Sequence, residues 1–136
     1  MLNKSESIEN LSKAMSEFQK NLKQPLKDAN NPFFKSKYVP LENVVEAITE
    51  AAGPLGISFM QYASGDENGN IEVGTIILHQ SGEYIEFPSV RMKPEKQTPQ
   101  AYGSAITYAK RYALSAVFGI TSDKDDDGNE ASGNGR

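Results

Sequence analysis

Residues 98–120 read TPQAYGSAITYAKRYALSAVFGI, followed at 122–129 by the acidic run SDKDDDGN. The fold turns on this stretch, which specifies one long helix with recognisable ends. Thr98 has an N-capping side chain, Pro99 suits the first helical turn, and Gly119 stands where a helix ends. At about 100° per residue, Tyr102, Ala105, Ile106, Ala109, Ala113, Ala116 and Val117 gather on one side, the expected core face. Arg111 is expected near the centre of the opposite side, with Ser104, Thr107, Tyr108 and Ser115 around it. Lys110 and Tyr112 fall on the flanks. A cation among short hydroxyls, with tyrosines beside it, suits a nucleic acid: the cation neutralises phosphate, the hydroxyls permit close approach, and the rings stack on bases. A Lys-Arg pair is equally what an ordinary solvated helix face carries.

Two further features of this helix carry expectations. Gly103 sits in its interior, where glycine costs about 1 kcal/mol relative to alanine. A packed strand or a ligand is therefore expected close to the backbone there. Leu114 and Phe118 make the last turns apolar on nearly all sides, and a helix apolar all round is buried. That end should meet a second element or a neighbouring subunit.

Immediately upstream, residues 91–99 (RMKPEKQTP) form a basic loop that brings Arg91, Lys93 and Lys96 towards the helix. Before it come three strand candidates at residues 56–62, 71–79 and 83–90. The middle one alternates Ile71, Val73, Thr75, Ile77 and His79 on one face. Short turn-rich connections favour an antiparallel meander. His79 is the single histidine and reads as a polar residue at a strand end.

Two helices precede the strands. Pro40 starts one, with Leu41, Val44, Val45, Ile48 and Ala52 as its buried stripe, ended by Gly53-Pro54. The other lies within residues 5–24, where Ile8, Leu11, Met15, Phe18 and Leu22 are spaced 3, 4, 3, 4, with Pro25 behind. The spacing is heptad-like, which makes Leu11, Met15 and Phe18, with Leu114 and Phe118, candidates for an interface between subunits. The run is shorter than the about three or four heptads a coiled coil needs, so a helix laid on its own subunit explains it equally. Between the helices, NPFFKSKYVP interleaves Phe33, Phe34 and Tyr38 with Lys35 and Lys37. Aromatics among lysines in a loop suit single-stranded nucleic acid; the aromatics could instead anchor the loop to the core. The fold class is α+β: a three-stranded antiparallel meander packed against a long C-terminal helix, with two N-terminal helices. Residues 1–122 form the core and residues 123–136 an acidic, glycine-rich tail.

The 136 residues suffice for one domain and contain no cysteine, which excludes disulfides, zinc–thiolate sites and a thiol nucleophile. No apolar run approaches the ~20 residues of a membrane span. The net charge of −4 is misleading. From Asp123 onward five acids face two bases, a net of −3, which leaves the rest at −1. Five lysines face one acid within residues 20–37, and Arg91, Lys93, Lys96, Lys110 and Arg111 face Glu95 alone within residues 90–121. Asp123, Asp125, Asp127 and Gly128 match the start of a calcium loop, but its twelfth position is Asn134 instead of glutamate and no helix follows. The tail is expected to be a solvated acidic linker, with at most a loose, non-essential magnesium contact.

Taken together, NPFFKSKYVPLENVVEAI, a strand meander, and QAYGSAITYAKRYALSAVFGI followed by DKDDDGN resemble the ERF (essential recombination function) family of phage single-strand annealing proteins. The resemblance spans about residues 5–129. It implies a bacteriophage recombination protein that coats single-stranded DNA and pairs complementary strands without ATP, in rings or helical filaments, in the host cytoplasm. It implies no catalysis and no required cofactor. By motif position it assigns DNA contact to Lys110 and Arg111. Lys35, Lys37 and Tyr38 match the second motif, and Arg91, Lys93, Lys96, Thr107 and Tyr108 are added from their expected place beside the helix. Family members often continue past the acidic run, so a host single-strand-binding protein would be met through a segment beyond it. Two rivals stand beside this reading. One is a protein-interaction module without DNA activity. The other is a metal-dependent nuclease using Asp123, Asp125, Asp126 and Asp127, although two-metal chemistry needs carboxylates held rigidly around ions ~3.5–4 Å apart.

Overall fold

The computed structural model describes residues 2–25 and 39–121. Three helices, α1 (Glu9–Asn21), α2 (Leu41–Ala52) and α3 (Pro99–Phe118), pack on one face of an antiparallel sheet. Its strands are β1 (Asn3–Lys4), β2 (Ile57–Gly65), β3 (Ile71–His79) and β4 (Tyr84–Met92), in the spatial order β1-β4-β3-β2. The expected meander is β2-β3-β4. The fourth strand, β1, pairs Asn3 with Glu86 and Lys4 with Ile85. Two residues are too few to show a period of two, so the sequence reading did not include it.

Alternation builds the sheet's inner face. Ile71, Val73, Thr75 and Ile77 of β3 are all buried. They lie beside Ile57 and Phe59 of β2 and Ile85 and Phe87 of β4. β4 runs to Met92, so Arg91 belongs to a strand and not to the loop expected after residue 90. His79 holds the β3–β4 turn, its Nδ1 accepting from the Ser81 amide at 3.1 Å. α1 has no capping side chain of its own. Glu83 supplies the cap from that turn, accepting from the Leu11 amide at 2.7 Å and from Asn10 Nδ2 at 3.3 Å.

α3 has the predicted ends. Thr98 accepts from the Ala101 amide at 3.1 Å, Pro99 opens the first turn, and Gly119 closes the helix at φ 79°. Ala105, Ala109 and Ala113 are buried against the sheet, whereas Ala116 of the expected core face is exposed. A second buried stripe runs up the other side of the C-terminal half. The Phe118 ring lies 5.3 Å from Phe18 of α1 and 5.8 Å from Phe59 of β2. The second element expected at this end is therefore α1, with α2 beside it.

This packing corrects the subunit-interface candidates. Leu11, Phe18, Leu114 and Phe118 are 1%, 0%, 0% and 2% exposed within their own chain, and Met15 is partly buried against them. The heptad spacing of α1 is that of a helix packed on its own core, and Leu11, Phe18, Leu114 and Phe118 leave almost no surface for another copy. The acidic tail at 123–136 lies outside the described residues.

Candidate nucleic-acid interface

α3 is covered unevenly. Its C-terminal half packs one side against α1 and α2 through Leu114 and Phe118, while its N-terminal half rests on the sheet through Ala105 and Ala109 and leaves its outer side exposed. Two hollows border that open side. One, of about 720 Å³, lies between α3 and the entry to α2, and is lined by Val39, Pro40, Leu41, Glu42, Gln100, Gly103, Ser104, Thr107, Tyr108 and Arg111. The other, of about 520 Å³, lies between α3 and the loop after β4, and is lined by residues including Met92, Lys93, Pro94, Lys96, Gln100, Ser104 and Tyr108. Gln100, Ser104 and Tyr108 border both, so the two hollows adjoin along one side of the helix and are described together as the α3 cleft.

The cleft can neutralise, approach and stack. Lys93 and Lys96 are exposed at one wall, with Glu95 between them. Ser104 and Thr107 are exposed on the helix, and Gly103 has no atom within 4 Å of where a Cβ would stand. Among the described residues no strand packs against Gly103, and the glycine lines the hollow beside the entry to α2. Tyr108 is 36% exposed and Tyr112 51%, with ring centroids 5.7 Å apart.

Arg111 departs from the expectation of a solvated centre. It is 5% exposed, and the entry to α2 shares a hollow with it on the side of α3 that helical periodicity alone leaves open. Its guanidinium carbon lies 5.0 Å from the Tyr108 ring centroid, a cation–π distance. It forms part of the inner wall of the cleft and props the ring that forms the floor. Lys110 lines neither hollow; it points about 200° around the helix from Tyr108, and its carbonyl accepts from Gln61 Nε2 at 3.2 Å.

Arg91 is a clear correction. It lies on the outer face of the sheet, 3.2 Å from Glu72 and 3.6 Å from Asp66. Alternation explains this: Met92 faces inward to line the cleft, so Arg91 must face out. Asp66 is held below the usual carboxylate range chiefly by hydrogen bonds from Asn70, against the pull of desolvation, with help from the Asn68 amide and Arg91. Of the ten expected contacts, Lys93, Lys96, Thr107, Tyr108 and Arg111 meet at the cleft, Arg91 and Lys110 do not, and Lys35, Lys37 and Tyr38 lie outside the described residues. The sequence reading missed Gln100 and the entry to α2, which pattern alone cannot bring to α3. The weak metal candidates Asp123, Asp125 and Asp127 also lie outside the described residues.

Comparison with curated proteins and with solved structures finds no match. A family model described as the ERF superfamily matches residues 11–136, a span that includes every element lining the cleft. On that match over most of its length, the chain belongs to the ERF superfamily.

Proposed function

We propose that this protein binds single-stranded DNA along the α3 cleft and pairs complementary strands without ATP. It would do so in phage or prophage recombination, inside the host cytoplasm. The observation that carries the reading is the cleft itself: a helix face of small and hydroxyl residues, walled by Lys93 and Lys96 on one side and Arg111 on the other, with Tyr108 between. Membership of the ERF superfamily supports it. Phosphates bound along the walls would be neutralised without sequence preference, and bases would remain free to meet a second strand. Assembly of many copies, as a ring or filament, would align those bases in register. Strand pairing makes and breaks no covalent bond, so the residues of the cleft are assigned binding roles and no cofactor is invoked; magnesium would be at most accessory. Among the described residues no helix is long and apolar enough to cross a membrane.

The test is strand pairing. Two complementary labelled oligonucleotides are mixed with the protein, without nucleotide or metal, and pairing is followed by energy transfer against a protein-free control. Acceleration is expected. Tight binding of each strand with no acceleration would reduce the protein to a coating function, and absence of both would leave a protein-interaction module.

A further inference from the structure

β2 is the outermost strand on its side of the sheet, and among the described residues no strand lies beyond it. Its register with β3 is unbroken from Ile57↔His79 to Gly65↔Ile71. Its sequence, ISFMQYASG, contains no charge and no proline. Charges, prolines and bulges are the devices that keep open edges from pairing. The opposite edge has them. β1 covers Ile85 and Glu86, and Pro88 falls at the irregularity opposite residues 73–75.

The backbone groups of β2 have a defined direction. The Gly56 carbonyl accepts from the Gln80 amide at 2.9 Å, and the Asp66 amide donates to the Asn70 carbonyl at 3.0 Å. Even-numbered positions therefore exchange hydrogen bonds with β3. The odd-numbered positions Ile57, Phe59, Gln61, Ala63 and Gly65 turn their amides and carbonyls to the open edge.

Gln61 is the midpoint of this strand. We propose that β2 pairs with β2 of a second copy of this chain, antiparallel about a two-fold axis at Gln61. In that register odd positions meet odd positions, so the outward backbone groups are satisfied: Ile57 faces Gly65, Phe59 faces Ala63, and Gln61 faces itself. Met60 then faces Tyr62 at the non-hydrogen-bonded positions, where Cα atoms approach to about 4.5 Å. These two are the most exposed large hydrophobic residues of the sheet, at 58% and 44%. The Tyr62 ring lies over Gly74, where a Cβ would come within 2.3 Å of it, and its hydroxyl hydrogen-bonds Glu86. The ring thus leans inward over β3 towards β4 and leaves the edge side of Tyr62 free for the methionine of a second copy. A two-fold interface requires a surface complementary to itself, and this strand meets that requirement in hydrogen bonding and in its exposed side chains. The proposal does not depend on the cleft binding DNA.

The chain has no cysteine, so introduced thiols report alone. The double variant Met60→Cys/Tyr62→Cys sets the two thiols opposite each other across the axis. Met60→Cys/Ser64→Cys keeps two thiols on the same face but out of register. Mild oxidation is expected to yield a covalent dimer from the first and not from the second. Met60→Lys/Tyr62→Lys, which opposes like charges, is expected to lower the mass of the assembly in sedimentation equilibrium with an unchanged far-ultraviolet spectrum. Equal cross-linking of both cysteine variants overturns the proposal. So does absence of the register-specific dimer, whatever the mass. If the lysine variant fails to fold, the cysteine pair decides alone.

Discussion

Lys93→Ala/Lys96→Ala removes the two cations of one cleft wall without touching the core. Both are exposed, and neither is in an ion pair with another described residue. The thermal unfolding midpoint should therefore not move. If each lysine neutralises one phosphate, the double variant flattens the slope of log K against log salt by about 1.4, since a single strand loses about 0.7 per contact. The same relation puts the affinity loss at about 25-fold in 0.1 M monovalent salt, shrinking to about 10-fold in 0.2 M. The assay is fluorescence anisotropy of a labelled oligothymidylate across a salt series. Arg91→Ala is the internal control. It removes one positive charge, against two, from the same short segment, and its side chain is on the far face beside Glu72 and Asp66. It should leave the slope unchanged and cost no more than about 1 kcal/mol of stability. An Arg91 variant that loses the one-contact share of about 0.7 would refute the reasoning, and so would a lysine pair that loses none.

Three other perturbations separate binding from folding. Arg111→Ala deletes a side chain that is 5% exposed, so it should lower stability by about 1–3 kcal/mol in urea as well as weakening DNA binding; a loss under about 0.5 kcal/mol would remove Arg111 from the core. Gly103→Ala meets nothing within 4 Å and should stabilise the fold by roughly 1 kcal/mol. If a strand lies against this turn, binding should weaken as stability rises, and unchanged affinity would move the strand elsewhere. Glu83 is pushed up by desolvation, but hydrogen bonds from the Leu11 amide, Asn10 and Ser7 outweigh this and hold it below its ordinary value of 4.5. A depressed carboxylate stabilises the fold above that value and loses its contribution as pH falls through the lower folded value. Glu83→Gln should therefore lose stability at neutral pH and show a shallower decline below about pH 4.5 in denaturation midpoints; parallel curves for the two proteins would refute this role.

How much was legible follows from how local each signal is. The ends of α3 were readable because Thr98, Pro99 and Gly119 act through the backbone within a turn. β3 was readable because one face of it is wholly buried, so its alternation is unbroken. The burial of Arg111 was not readable. Periodicity places a residue on a side of a helix but does not say what covers that side, and here the entry to α2 arrives from about 70 residues upstream. The same limit left open what covers Leu114 and Phe118, whose apolar side was visible but whose cover is a second element and not a subunit: Phe18, against the Phe118 ring, is supplied from the other end of the chain. Arg91 shows the sensitivity of strand ends. Two more residues in β4 move its side chain from the cleft to the opposite face. The open edge of β2 was written in its composition, yet an edge exists only once the strand order is known.

The central claim is that a single strand lies across α3 between the loop after β4 and the entry to α2. Ultraviolet cross-linking of an oligothymidylate to the protein, with the attached peptides identified by mass spectrometry, tests it most directly. Adducts are expected on peptides carrying Lys93, Lys96 and Tyr108. Adducts confined to the outer face of the sheet, at Met60, Tyr62 or Arg91, would contradict it.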